Sequence, residues 1–348
     1  MTMPNRRTVL AALAAVPLAG CGGGEGEPVW RETYPGERRL FHAAREQGIV
    51  ASFDTGPNWA GWGGLFAGFE RRYPGVRVGY NDTGSGPGVI LLERTRAAPQ
   101  GDSFYAGAGS GIDAAARDLF EPFVPHGARG LPPSLRAADH GWHVVHGLDL
   151  AFLANRRLVA RCPARFADLA DPLYRDAIVH LDPRTTAQGQ AVFLAANRAA
   201  GGSDRNLAPG ARFFDRLDAA GTILRVSGGT PYAQFIKGEV PVWIGYAADG
   251  VRAHRDDGLG GIVALRRPAD APLCVPYVIG LVRGAPHQAA AMLWLHYIFS
   301  AEGQALFARA GARPVAALRT AGDLLPVGVA ADTRAAVAAL WNERMTRG

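Results

Sequence analysis

Three times within its first 120 residues this chain passes from a short apolar run, through a turn of small polar residues, into a stretch with helical spacing. The first run is IVASF (49–53), followed by Asp54-Thr55-Gly56-Pro57-Asn58 and then by residues 59–73. In that last stretch Trp62, Leu65, Phe66 and Phe69 share one helical face. The second run, VRVGY (76–80), alternates as a strand does. It passes through Asn81-Asp82-Thr83-Gly84-Ser85-Gly86-Pro87-Gly88 and continues as a helix in VILLER (89–94). The third unit covers residues 102–119. Strands alternating with helices call for a mainly parallel α/β sheet, and such sheets hold ligands beyond the carboxyl ends of their strands. Here those ends are residues 54–59, 82–86 and 105–111.

The turn at 82–88 has its own chemistry. N–H groups at a helix start lack intrahelical partners, the dipole is positive there, and glycine admits a ligand close to the backbone. An ordinary turn that caps its helix with Ser85 or Asp82 reads from the same residues. Similar turns recur, at Thr185-Thr186 before a helix at 187–200 and at Gly228-Gly229-Thr230-Pro231-Tyr232 before one at 233–237. Strands at 177–181 and 239–246 belong to this second α/β unit. Residues 142–154 form a long extended run, and residues 274–282 read as a crossing back. Further helices are expected at 37–48, 287–300, 302–310 and 330–344.

A chain of 348 residues is long for one core, so two lobes are expected. Hydrophobic residues at 48% and charged ones at 20% describe a globular protein. The net charge of +6 is almost wholly arginine, Lys237 being the only lysine, and no arginine run interleaves with aromatics. Nucleic acid is therefore not an expected partner. Residues 1–21 read as an export signal: Arg6-Arg7, an apolar stretch at 9–18, then Leu18-Ala19-Gly20-Cys21. That tetrapeptide resembles a bacterial lipobox, which makes Cys21 the expected lipidation site; a plain secretory signal cut nearby is the alternative. Asn5-Arg6-Arg7-Thr8-Val9-Leu10 loosely resembles a twin-arginine signal, so the export route stays open. Residues 22–36 would tether the domain to the membrane. No later stretch is apolar enough to span a bilayer. An export compartment permits a disulfide between Cys162 and Cys274, but two separate buried thiols are the expectation.

Enzyme chemistry finds no support. Ser85 lies between Thr83 and Pro87, and Ser110 between Ala108 and Ile112, so neither sits in a Gly-x-Ser-x-Gly elbow. Residues 109–114 (GSGIDA) match a dinucleotide fingerprint only formally, without an acid about 20 residues on. His140, His143 and His146 fall on an extended run, where side chains diverge and cannot converge on zinc. No catalytic residue, metal or cofactor is expected.

The ordered pieces AAREQGIV (43–50), GFERRYPGVRV (68–78), LFEPFVP (119–125) and ANRRLV (154–159) are followed by PARFADLADPLYRDAIVHLDPRTTAQG (163–189). KGEVPVWIGY (237–246) and VRGAPHQAAAMLWLHYIFSAEGQALFARAGARPV (282–315) complete the set. Together they resemble the solute-binding proteins of ABC importers, in the branch that includes ferric-iron, polyamine, thiamine, phosphonate and sugar-phosphate binders. The resemblance implies a two-lobed periplasmic-binding-protein fold (type II), each lobe a mainly parallel sheet flanked by helices and joined to the other by crossing strands. Lobe I would comprise residues 37–143 and 278–313, and lobe II residues 144–277 and 314–348. It also implies a monomer in the periplasm or cell envelope, with a small solute and ABC permease subunits as partners and hinge closure as its action.

Candidate polar contacts to the solute are Asn58, Ser85, Thr185, Thr186 and Thr230. Trp59, Tyr105, Tyr232 and Tyr246 would wall the cleft, and Asp249 would read a cationic or hydroxyl end. Hydroxyl-rich turns favour an oxyanion such as a phosphonate or sugar phosphate. Asp54, Trp59, Asp82, Tyr246 and Asp249 keep a polyamine or thiamine cation open. Ferric-iron sites of this branch resemble a pair of adjacent tyrosines, whereas Gly245-Tyr246-Ala247-Ala248-Asp249 has one.

Overall fold

A computed structural model describes residues 31–225 and 231–347. The export signal with Cys21, most of the expected tether, and Thr230 lie outside the described residues. The strands are β1 (Ile49–Phe53), β2 (Arg77–Asn81), β3 (Ser103–Gly107), β4 (Phe120–Glu121), β5 (His143–Asn155), β6 (Ile178–Val179), β7 (Val242–Tyr246), β8 (Val263–Arg266), β9 (Cys274–Val282) and β10 (Arg313–Pro314). The helices of the first half are α1 (Glu37–Gln47), α2 (Trp62–Arg72), α3 (Ser85–Arg94) and α4 (Ala108–Ala116). Then follow α5 (Ala187–Ala199), α6 (Ala208–Ala219), α7 (Pro231–Lys237) and α8 (Ala247–Arg255). The last are α9 (Gln288–Ile298), α10 (Ala301–Arg309), α11 (Val315–Leu318), α12 (Val327–Asp332) and α13 (Arg334–Arg347).

Strand β1 pairs in parallel with β2 and β3, and β6 pairs in parallel with β7. The crossing strands run the other way: β9 is antiparallel to β3, and β5 is antiparallel to β9. Strand β5 belongs to both halves. Residues 143–149 pair with β9, whereas residues 150–155 pair with β7 and β8. Its sequence, HVVHGLDLAFLAN, does not alternate because all 13 residues are buried, as a strand covered on both faces requires. His143 and His146 are packed inside it, across a bulge that follows Val144.

At the changeover Asp149 accepts hydrogen bonds from the Arg313 guanidinium at 2.9 Å, and Arg313 also donates to Asp323 at 2.7 Å. The bonds from Arg313 hold the Asp323 carboxyl down at about 2. In the first half Trp62, Phe69, Tyr73, Trp294 and Tyr297 form an aromatic core, and Trp294 donates from its indole to Ser52 Oγ at 3.1 Å. A separate, smaller cluster around Leu153, Val179, Phe235 and Trp243 lies in the second half, while Phe152, Phe166, Phe193 and Phe214 join the main core.

Several elements differ from expectation. The helix expected over 59–73 starts at Trp62, because Ala60 (φ 50°) and Gly61 (φ 89°) are both left-handed. The last helix is two, α12 and α13, parted at Thr333. Its hydroxyl donates to the Val329 carbonyl and accepts from Gln190. Helices α6 and α8 have no counterpart in the sequence reading. Helix α8 buries only Ala248, Gly250 and Ala253, a face too small to mark itself by apolar periodicity. Cys162 and Cys274 are free, buried thiols, as expected.

Candidate functional site

Strand β1 ends on Asp54, which is 3% exposed and left-handed at φ 61°. Its backbone N–H donates to Asn81 Oδ1 at the end of β2. Its carboxylate faces the start of α3: Gly84 N–H donates to Oδ1 at 2.9 Å, and Ser85 Oγ donates to Oδ2 at 3.0 Å. Ser85 Oγ also accepts from Gly107 N–H at 3.1 Å. The protein's own carboxylate thus stands beside the seat that the sequence offers to an oxyanion, bonded to Gly84 N–H and the Ser85 hydroxyl. Burial pushes Asp54 up to about 7; the bonds from Ser85 and Gly84 pull the other way, and the nearby Asp82 charge adds to the rise.

The second turn behaves similarly. Thr186 is the N-cap of α5, accepting from Gly189 N–H at 3.0 Å and donating to the Asp182 carbonyl at 2.9 Å. Thr185 is exposed, and its carbonyl approaches Gly86 at the head of α3, as does the Arg334 guanidinium.

Beside these turns the aromatic candidates form one connected group. The ring of Trp59 lies 5.5 Å from that of Tyr105 and 5.6 Å from that of Tyr277, and Tyr105 stacks on Tyr277 at 5.1 Å. Tyr277 meets Tyr246 hydroxyl to hydroxyl at 3.1 Å. Tyr105 shares a 2.9 Å hydrogen bond with His146 Nε2. Burial holds His146 down at about 3 and raises the phenols of Tyr105 and Tyr246, so all three are neutral near pH 7.

A cavity of about 270 Å³ opens next to Trp59, between the turn at 57–64 and the end of α10 on one side and helix α8 on the other. Asn58, Trp59 and Asp249 line it, together with Arg252, Arg255 and Arg309 and the carboxylates Asp256 and Asp257, which pair with Arg255 and Arg252. Helix α8 reaches across it: Arg252 donates to the Asn58 carbonyl, and Arg255 donates to the Arg309 carbonyl at 3.0 Å. Arg252 also lies over the Tyr232 ring at 4.5 Å, and the Tyr232 hydroxyl donates to Asp257. Asp249 accepts from Tyr246 N–H at 2.9 Å and from the Trp243 indole at 3.3 Å. Burial raises its pKa.

The structure therefore gathers Asn58, Trp59 and Asp249 at one cavity and sets Tyr105 and Tyr246 against Trp59 through Tyr277. Ser85 and Thr186 spend their hydroxyls inside the protein, and Tyr232 packs under Arg252. Tyr277, Arg252, Arg255 and Arg309 were not legible as site residues. Arg252 stands one helical turn beyond Asp249, a spacing that becomes a signal only once α8 is recognised. Among the described residues no group of three or more His, Cys, Asp or Glu could hold a metal ion, and no helix is long and apolar enough to cross a membrane.

Residues 105–332 match the family described as bacterial extracellular solute-binding protein. A Salmonella paratyphi A protein, whose name provisionally assigns 2-aminoethylphosphonate binding in the periplasm, is 28% identical over 241 residues. The match covers 66% of this chain and 66% of that relative. The corresponding Salmonella typhimurium protein is also 28% identical, with the same coverage. Among solved structures, AfuA of Actinobacillus pleuropneumoniae with fructose-6-phosphate bound superposes with a TM-score of 0.69 at 17% identity, over 87% of this chain and 100% of its own. The apo ferric ion-binding protein A of Pasteurella haemolytica gives 0.66 at 15% identity, over 86% of this chain and 98% of its own. At such identities the likeness is one of fold, the two-lobed type II architecture of periplasmic binding proteins.

Proposed function

Because this chain belongs to the bacterial extracellular solute-binding proteins, we propose that it captures a phosphonate, sugar phosphate or similar small oxyanion between its lobes and delivers it to an ABC permease. The observation that carries the oxyanion is Arg309 on a cavity walled by both halves of the chain, which Arg252 and Arg255, paired with Asp257 and Asp256, also line. Arg309 is exposed and, among the described residues, makes no salt bridge. Guanidinium groups bind phosphonate and phosphate oxygens in pairs. They stand in for the helix starts as the anion-binding element, since Asp54 takes the Ser85 hydroxyl at the start of α3 and Thr186 caps α5. The names of the relatives agree, one assigned to a phosphonate and one holding a sugar phosphate.

The protein would perform no chemistry on its solute. It would act as a monomer in the periplasm, held to the membrane by lipid on Cys21. Its lobes would be residues 37–143 with 278–313 and residues 144–277 with 314–348. The buried carboxylate of Asp54 and the partly buried one of Asp249 favour a second reading, a polyamine, thiamine or ferric-iron cation.

Thermal shift with a panel of phosphonates, sugar phosphates, polyamines, thiamine and ferric iron tests both. An oxyanion at a hundredfold excess over its Kd should stabilise the protein by about 2.7 kcal/mol. Stabilisation by the cations alone would overturn the oxyanion reading.

A further inference from the structure

The glycines of GAGSG (107–111), at the turn from β3 into α4, form no dinucleotide site, yet each is pressed by another element. A methyl group at Gly111 would meet the Val278 side chain of β9 at 2.1 Å. At Gly107 it would stand 2.4 Å from Cβ of Ala187, the first residue of α5. At Gly109 it would stand 2.7 Å from the carbonyl oxygen of Ala330 in α12. The last two contacts cross from the first half of the chain to the second. No side chain sits at such distances, so the halves meet there only because these positions are bare.

Helix α12 is held to the two halves by different means. The Gln190 amide of α5, 6% exposed, donates to the Ala330 carbonyl at 2.8 Å and to Thr333 Oγ1 at 3.1 Å. Thr333 donates in turn to the Val329 carbonyl at 2.6 Å, which fixes the corner between α12 and α13. Beyond that corner α13 packs into the second half: Trp341 lies edge-on to Phe214 at 4.9 Å, and Arg344 donates to the Phe214 carbonyl at 3.1 Å. Toward the first half, among the described residues, α12 makes no hydrogen bond. The one ion pair nearby, Arg334 with Asp113 at 3.7 Å, is about a third exposed on each side and holds little. A contact without bonds can part and re-form, whereas parting the Gln190 amide from its acceptors would leave buried polar groups unpaired.

We infer that Gln190 and Gly109 are positioning residues for lobe closure. Gln190 fastens the α12–α13 corner to the second half, and Gly109 is the gap in the first half into which the Ala330 carbonyl moves as the lobes meet. Neither residue lines the cavity at Trp59, so both act on solute capture through the separation of the lobes. The inference rests on closure as the protein's action and not on the charge of its solute.

Small-angle scattering on the ligand-free mature protein tests it. A compact chain of this size has a radius of gyration of about 20 Å. Gly109→Val should raise the radius above the wild-type value while melting stays a single cooperative transition, because the added side chain blocks only the closed arrangement. Gln190→Glu keeps the shape of the side chain, but its carboxylate cannot donate to the Ala330 carbonyl, and it should raise the radius likewise. The two together should expand the molecule no further than either alone, since they break one contact. A wild-type radius in folded Gly109→Val overturns the inference. If that variant does not fold, a wild-type radius in Gln190→Glu does so. Failure of both to fold also overturns it, by placing the corner in a core that never opens. None of these outcomes involves a solute, so the functional reading is decided separately by the thermal-shift panel.

Discussion

Asp54 sits where a ligand was expected to sit, and the cost shows in its titration. Its pKa is pushed up to about 7, from an ordinary 3.8, mainly by burial. Between those values the folded protein keeps a proton that the unfolded chain has released, so this group's contribution to stability falls as pH rises from about 4 to about 7. The buried histidines His143 and His146 and the partly buried His296, all held at about 3 to 4, act oppositely: their contribution is lost as pH falls below about 6.5. Comparison with Asp54→Asn isolates the aspartate, since asparagine can still accept from Gly84 and has no charge to bury. The variant should gain stability over wild type as pH rises, by roughly 4 kcal/mol in all at about 1.4 kcal/mol per pH unit. Urea unfolding of both proteins at pH 5 and pH 8 measures it; a constant difference would show that Asp54 is not the titrating group. Nothing in the sequence marks Asp54 as the partner of Ser85, 31 residues later at the start of α3. Capping patterns are legible only when cap and helix are neighbours.

At the scale of elements, the sequence was most informative where burial is one-sided or complete. Strands β1 and β2 and both crossing strands lie where their patterns put them, because apolar runs of that length leave few alternatives. Helix α8 was missed for the opposite reason, and it is the element that closes the cleft. It sends Arg252 to the Asn58 carbonyl and Arg255 to the carbonyl of Arg309 at the end of α10, where the helix dipole favours a cation. These bonds join the two sides of the cavity without any ligand. Replacing both, Arg252→Ala with Arg255→Ala, should therefore enlarge the ligand-free radius of gyration in small-angle scattering. The two arginines are about 30% and 52% exposed, so each bond contributes about 1 kcal/mol or less. An unchanged scattering profile would mean that they do not hold the lobes together.

For the whole molecule, the two-lobed plan was legible from the order of its pieces, whereas the cavity was not, since its walls come from residues 57–64, 248–257 and 306–310. The expected lipidation site, Cys21, lies outside the described residues. Acylated Cys21 should keep the protein with the membrane fraction, because three acyl chains anchor firmly where one does not. Cys21→Ser should release it to the soluble fraction or stall its processing. Wild type that fractionates as soluble without detergent would remove the anchor from the scheme. The pairing of β5 in both halves, and of β9 with β3 and β5, has a bearing on the order in which the chain can fold. The first sheet waits for residues 274–282 to cover β3, and β5 waits for the same segment across more than a hundred residues. Pairings so distant in sequence form late. A chain of this design, made from its N-terminus, therefore has its first sheet incomplete until residues 274–282 have been synthesised.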